Sequence, residues 1–390
     1  MSELSFIERL LDGVEVDWVP ISEVTLRTSN IKWSEVKRDY KYIDLTSVSI
    51  ETKQIVETSW VSPNNAPSRA QKLVEKKDVI FATTRPTQMR YCLIGDDYHG
   101  EVASTGYCVL RAEREKVLPK WILHLISTSE FKRYLEDNQS GSAYPAISDA
   151  KVKAFSIPIP CPEIPEKSLQ IQAEIVRILD AFTSLTAELT AELTARKKQY
   201  NYYRDKLLSF EGDEVEWKPL GEVVNIKNGK DWKNLGAGDI PVYGSGGVMT
   251  YVDSFAYDKP TVLIPRKGSI TNIFYVDEPF WNVDTIYYTE IDTTQIVPKF
   301  FYYFMRTLDL MKLDTGSGRP SLTQAILNNI LVPVPSLRKQ EHIVNVLDKF
   351  DALTNSITEG LPREIELRQK QYEYYRDLLL SFPKPDEQAA

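Results

Sequence analysis

The chain repeats itself, and this constrains its fold more than any other feature. Residues 196–210 read RKKQYNYYRDKLLSF and residues 368–382 read RQKQYEYYRDLLLSF, identical at twelve of fifteen positions. The match extends upstream: FSIPIPCPEIPEKSLQIQAEIVRILDAFTSLT answers ILVPVPSLRKQEHIVNVLDKFDALT, SGSAYPAIS (140–148) answers TGSGRPSLT (315–323), and PKWILHLI (119–126) answers PKFFYYFM (298–305). SFEGDEVEWKPLGEV (209–223) is echoed near the start as LLDGVEVDWVPISEV (10–24). The order is linker, variable region and helix, twice over, which predicts a pseudo-two-fold molecule.

In the first helix Ile171, Ile175, Ile178, Phe182, Leu185, Leu189, Leu193, Tyr200, Tyr203 and Leu207 recur at three- and four-residue steps, an amphipathic stripe. Ile343, Val346, Leu347, Phe350, Leu353 and Ile357 do the same in the second, until Gly360 and Pro362 predict a break with a restart near 363. The Pro-rich IPIPCPEIP is expected to stop a strand and open the first helix. A helix of some forty residues is about 60 Å long, more than a single domain needs. Two such helices packed as an antiparallel coiled coil would space the variable regions, whereas helices docked each on its own domain is the blander alternative. The variable regions carry short β-branched and aromatic runs (KDVIFATTRP, EVASTGYCVL, PTVLIPRKGS, ITNIFYVDE, VDTIYYTEI), followed by a short helix at 119–135 and at 298–312. The expected class is α+β. Its domains are 1–158 (linker and first variable region), 159–211 (central helical spacer), 212–332 (second variable region), 333–382 (C-terminal spacer) and 383–390 (tail).

Composition mainly excludes. No run approaches 18 apolar residues, which argues against a membrane span, and the acid-bearing start does not read as a secretory signal. Cys92, Cys108 and Cys161 form no CxxC pair, so a disulfide framework or cysteine-rich zinc site is not expected and a reducing cytoplasm fits. The three histidines (His99, His124, His342) are too widely spaced for metal or triad chemistry, and no GxGxxG, GxxxxGK[ST], HExxH or Asn/Asp-Pro-Pro-aromatic motif is present. YGSGG (243–247) lacks the lysine of a phosphate cradle. No catalytic or metal residue is assigned. The net charge of −8 hides a distribution: residues 25–155 hold 20 Lys/Arg against 16 Asp/Glu, residues 225–332 hold 10 against 11, and the acids concentrate in 1–24 and 211–224. A positive first domain suits phosphate binding. FATTRPTQMR (81–90) and LIPRKGSITN (263–272) cluster side chains that can read guanine (Arg) or adenine (Gln, Asn) in a major groove.

These residues resemble the specificity subunits of type I restriction–modification systems over essentially the whole chain. The carriers are the QxxIVxxLDxF blocks (Gln172–Phe182, and Ile343–Phe350, where Glu341-His342 stands for Ala173-Glu174) and the RxKQYxYYRDxLLSF pair. TAELTAEL (186–193) is similar to the tandem tetrapeptide of the type IC branch. The resemblance implies a chain that binds double-stranded DNA, each variable region reading one half of a split, asymmetric target. The helices would set the spacing and hold two methyltransferase subunits. It further implies no cofactor here: S-adenosylmethionine, ATP and Mg belong to those subunits and to the restriction subunits, and methylation falls on adenine. The candidate DNA-binding residues are Thr84, Arg85, Gln88 and Arg90, then Tyr243, Ser245, Arg266, Lys267, Ser269 and Arg319. Tyr202, Tyr203, Tyr374 and Tyr375 are candidate partner contacts expected to be largely buried against each other or against partner subunits, and Leu185, Leu189 and Leu193 line the spacer. A stand-alone bipartite DNA-binding or bridging protein, or an enzyme with an unrecognised site, remain as other readings. Asp180 to Arg196 spans 16 residues and Asp348 to Arg368 spans 20, so the spacer is expected to tolerate four-residue steps.

Overall fold

The computed structural model describes residues 14–210, 215–316, 318–356 and 358–384. The starts of both acidic linkers, Ile357 of the second stripe and the last six residues lie outside this set. The chain forms two compact units, one running to Leu189 and resuming at Ile365, the other spanning Thr190–Glu364. The units thus cut through the spacer helices instead of leaving them as separate segments.

Along the first unit run β1 (Val16–Pro20), β2 (Thr25–Leu26), β3 (Tyr40–Ile43), β4 (Ser59–Val61), β5 (Ala70–Leu73), β6 (Val79–Ala82), β7 (Tyr91–Leu93), β8 (Val102–Ser104) and β9 (Tyr107–Ala112). Then come helices α1 (Pro119–Leu125), α2 (Ser129–Asn138) and α3 (Asp149–Lys153), strand β10 (Ser156–Pro160) and the 44-residue α4 (Pro165–Leu208). Two four-stranded sheets result, ordered β2-β9-β6-β7 and β4-β3-β8-β5, with a separate β1-β10 pair. The single helix expected at 119–135 is two helices, because the Thr128 hydroxyl accepts the Phe131 N–H and caps a new start. IPIP does not stop a strand; it is one, paired with β1, and prolines are tolerated there because a two-stranded ribbon has free edges.

The second unit repeats the plan with β11 (Glu216–Pro219), α5 (Leu220–Val223), β12 (Val224–Asn228), β13 (Ile240–Gly244), β14 (Gly247–Val252), β15 (Thr261–Pro265), β16 (Phe274–Val276), β17 (Trp281–Asn282) and β18 (Ile286–Ile291). After these follow α6 (Pro298–Met305), α7 (Gln324–Asn328), β19 (Leu331–Val334), α8 (Leu337–Asn355) and α9 (Gly360–Leu379). The sheets are β12-β18-β15-β16 and β14-β13-β17, beside a β11-β19 pair. This is the first unit's order without an equivalent of β5, and the β3–β8 and β13–β17 pairs are both parallel.

The repeated helices exchange ends. Ile171, Ile175 and Leu179, from the start of α4, are buried in the first unit's core, and the same core takes Tyr372, Leu379, Leu380 and Phe382 from the end of the chain. The second unit's core takes Ile343 and Leu347 from α8 with Tyr200, Leu208 and Phe210 from the end of the first copy. Equivalent aromatic pairs lock both exchanges. Phe382 meets Trp121 edge-on at 5.9 Å as Phe210 meets Phe300 at 6.1 Å, and Tyr375 stacks on Phe182 at 5.2 Å as Tyr203 stacks on Phe350 at 5.7 Å. So each helix starts on its own domain and ends on the other copy's. Two β-rich domains with central helices packed antiparallel is the architecture.

The four extra residues of the second copy form a break, not an added turn: α8 ends at Asn355 and α9 begins at Gly360. Gly360 has φ +74°, and a Cβ there would lie 2.4 Å from the Ala352 carbonyl oxygen, so only glycine fits. The second copy therefore gives no example of an insertion inside a continuous helix.

Candidate nucleic-acid interface

In each unit two surface turns meet. Between β6 and β7 of the first unit, the Thr83 carbonyl accepts the Ile147 N–H at 2.9 Å, Thr84 bridges Ala146, and the Arg85 N–H donates to the Pro145 carbonyl at 2.7 Å. In the second unit the Arg266 carbonyl accepts the Leu322 N–H at 2.8 Å, Lys267 bridges Ser321, and the Gly268 N–H donates to the Pro320 carbonyl at 3.0 Å. The two backbones match bond for bond, which aligns Arg85 with Gly268 and Tyr144 with Arg319. Gly268 takes φ +89°, where glycine is at ease, whereas Arg85 holds φ +49° against its own Cβ. The positive φ at Arg85 carries strain that its glycine counterpart avoids.

Thr84 is half-buried, whereas Arg85 and Gln88 are exposed. The Arg85 guanidinium lies 5.7 Å over the Tyr144 ring, and Tyr144, which the sequence reading missed, is 72% exposed. Arg90 turns the other way. Its Nη1 donates to the carbonyls of Leu45 and Val48, so its guanidinium is engaged with backbone within the domain. Nearby, burial and then the Arg90 charge push the Lys53 ammonium down to about 8, and Lys53 donates to the Met89 carbonyl.

In the second unit the candidates converge. Ser245 sits in the turn of the β13–β14 hairpin, which is what YGSGG forms, and its hydroxyl lies 3.2 Å from the position of a Cβ on Gly268. Lys267, Ser269 and Arg319 are exposed around that contact. Arg266 is half-buried and reaches the Asp284 carbonyl at 3.4 Å. Tyr243 packs its ring against Phe274 and Phe280, and burial raises its hydroxyl, so it supports the turn from below.

Motif residues shared by the two copies prove to be joints. Gln172, fully buried, accepts the Leu118 N–H at 2.9 Å and donates to the Lys116 carbonyl at 3.0 Å; Gln340 accepts the Val297 N–H at 2.7 Å and donates to the Gln295 carbonyl at 2.9 Å. Each glutamine ties a spacer helix to the segment entering α1 or α6. Lys120 pairs with Asp180 at 2.7 Å, and Lys299 with Asp348 at 2.8 Å. Burial pushes the Asp180 carboxyl up, but hydrogen bonds from His124 and Lys120 with their charges outweigh it and hold it below its ordinary value.

One joint differs. In the first unit Tyr372 Oη lies 3.1 Å from His124 Nδ1 and 3.4 Å from Ser127 Oγ. In the second, Tyr303 stands in the histidine's place and donates to Asp348 at 2.6 Å, which leaves the buried Tyr200 hydroxyl without a partner. Tyr372→Phe is therefore expected to cost about 1 kcal/mol, while Tyr200→Phe costs nothing or stabilises, since it removes an unpaired polar atom. Thermal unfolding of the two variants checks this, and equal losses would contradict it.

The tyrosine pairs are not buried as pairs. Adjacent residues on a helix point about 100° apart, so Tyr203 and Tyr375 stack on phenylalanines, Tyr375 half-buried and Tyr203 still 38% exposed, while Tyr202 and Tyr374 stand 61% and 59% exposed. Leu189 and Leu193 are half-buried and Leu185 is exposed, a thin stripe. The cysteines are buried, and burial pushes the Cys92 and Cys108 thiols up to about 12, away from nucleophilic use. Among the described residues no helix is long and apolar enough to cross a membrane.

The family described as the type I restriction modification DNA specificity domain matches residues 19–196 and again 212–367. The chain is 39% identical to the EcoR124I/EcoR124II specificity subunit of Escherichia coli, covering 99% of each chain. It is 34% identical to the EcoprrI specificity subunit of the same species, covering 92% of this chain and 93% of that one. Among solved structures, a chain from a study of complex assembly and conformational transition of the type I R-M system superposes with a TM-score of 0.64 at 21% identity, over 94% of this chain and 97% of that one. The S subunit from M. genitalium gives 0.60 at 18%, over 96% and 98%. A duplicated domain, matched twice by one family and full-length by its relatives, makes this chain a member of the type I restriction–modification specificity subunits.

Proposed function

We propose that the chain is the DNA sequence-recognition subunit of a type I restriction–modification complex, each unit reading one half of a split, asymmetric target. The carrying observation is the bond-for-bond match between turns 83–86 and 266–269, which presents Arg85 and Tyr144 in one unit and Lys267 and Arg319 in the other. A shared frame with different side chains is what reading two different half-sites requires. The non-catalytic chain would leave methylation of adenine, with S-adenosylmethionine, to two methyltransferase subunits, and ATP- and Mg-dependent cleavage to restriction subunits. Tyr202 and Tyr374, exposed at equivalent places in both copies, suit them as partner contacts. TAELTAEL supports a type IC-like spacer.

Exchanging residues 25–155 for a relative's region, in a host carrying the whole system, should change one methylated half-site and spare the other. Methylome sequencing reads both, and a change in both half-sites sinks independent readout. The spacer test is separate. A further Thr-Ala-Glu-Leu inside α4 adds about 6 Å of rise and about 40° of rotation, against roughly 34–36° for one base pair. Both half-sites should persist with the unread gap lengthened by about one base pair, and methylation held at the original gap would refute the ruler.

A further inference from the structure

The turn between β6 and β7, and its counterpart after β15, do not stand alone. Beside each lies a second turn, 44–48 in the first unit and 244–247 in the second, and in each unit one side chain joins the two. Arg90, closing the first reading turn, donates through Nη1 to the carbonyls of Leu45 and Val48. Asn272, closing the second, donates through Nδ2 to the Ser245 carbonyl at 3.1 Å. The acceptors lie in the second turn of each unit, at Leu45 and Val48 in the first and at Ser245 in the second. Tyr107 Oη donates to the Asp44 and Leu45 carbonyls from the first residue of β9, while Thr285, just before β18, accepts the Ser245 N–H at 3.4 Å. Both joining side chains are half-buried, and each second turn carries one exposed residue, Thr46 in the first unit and Gly246 in the second. Different residue types thus perform one task at one place in two domains.

We propose that Arg90 and Asn272 are positioning residues that act on DNA without touching it, each locking its unit's second turn onto the reading turn so that both enter the groove as one surface. This rests on the reading of turns 84–89 and 266–270 as DNA-facing. Arg90 is thereby moved from base contact to support, because hydrogen bonds to two carbonyls fix its guanidinium inward. Donors that hold a recognition surface in its bound shape raise affinity by cutting the ordering cost of binding.

The test uses the full chain assembled with its methyltransferase subunits and a library randomised at both half-sites, with binding measured across a salt series. Arg90→Met should relax base preference in the first half-site about tenfold and spare the second, and Asn272→Asp, which replaces the donor by an acceptor, should do the reverse. Arg90→Lys, which keeps an N–H donor, should restore most of the preference. The slope of log K against log salt should stay unchanged, because no phosphate contact is lost. A slope reduced by about one unit would mean that Arg90 touches phosphate, and unaltered preferences would mean that the joint does nothing; either overturns the proposal. If Arg90→Met does not fold, failure of Arg90→Lys to retain preference in a folded complex decides against it. Arg85→Gly and Lys267→Ala are the controls. If they leave both half-sites unaltered, the turns do not read DNA, whereas if they act and the Arg90 and Asn272 variants do not, only this proposal falls.

Discussion

A chain ended at Glu364 loses the fold of the first recognition domain and keeps that of the second. The truncation removes nothing from the second unit, but takes Tyr372, Leu379, Leu380 and Phe382 out of the first unit's core. Burying side chains of this size is worth about 1.5–3 kcal/mol each, so four of them approach the 5–15 kcal/mol net stability of a whole domain. Calorimetry of the truncated chain should show one cooperative transition missing, and hydrogen exchange should place the loss in residues 16–160. A peptide covering residues 365–384 should restore it. Two intact transitions after truncation would show that the exchanged end is decoration.

The second large effect comes from one buried amide. Gln172→Ala leaves the Leu118 N–H and the Lys116 carbonyl without their side-chain partner at a part-buried joint. At 1–3 kcal/mol for each unpaired group, with a cavity added, the first unit should lose about 3–5 kcal/mol. Gln340→Ala should do the same to the second unit, through Val297 and Gln295. The same substitution should therefore lower a different thermal transition in each variant. A shift of both transitions by either variant would contradict independent joints.

The repeat, the β-rich variable regions and the helix break at Gly360 were legible in the sequence, because spacing and turn chemistry report local structure directly. The exchange of helix ends was not. RKKQYNYYRDKLLSF and RQKQYEYYRDLLLSF are so alike that either could pack in either core, and only the three-dimensional path decides. The tyrosine pairs misled for a geometric reason, since neighbours on a helix cannot share a face. Arg90 and Arg85 stand five residues apart in one polar turn, and composition does not distinguish an arginine aimed at solvent from one folded back onto carbonyls. Tyr144 carried no signal, and Asn272 read only as a possible base reader in LIPRKGSITN, because each acquires its place from a segment far away in sequence.

The exchanged ends also set a timetable. During synthesis the first recognition domain emerges early, yet the residues that close its core emerge only after the whole second unit. At 5–20 residues per second, the nearly two hundred residues from Thr190 to Lys384 take roughly 10–40 s. Throughout that interval the pocket beside Trp121 waits for Phe382, whereas the second domain has all its parts once residue 364 is made. A prematurely terminated product would keep that pocket open for chaperones and proteases to find. Completion of the first unit's core thus becomes a chemical report that the chain was translated through Phe382.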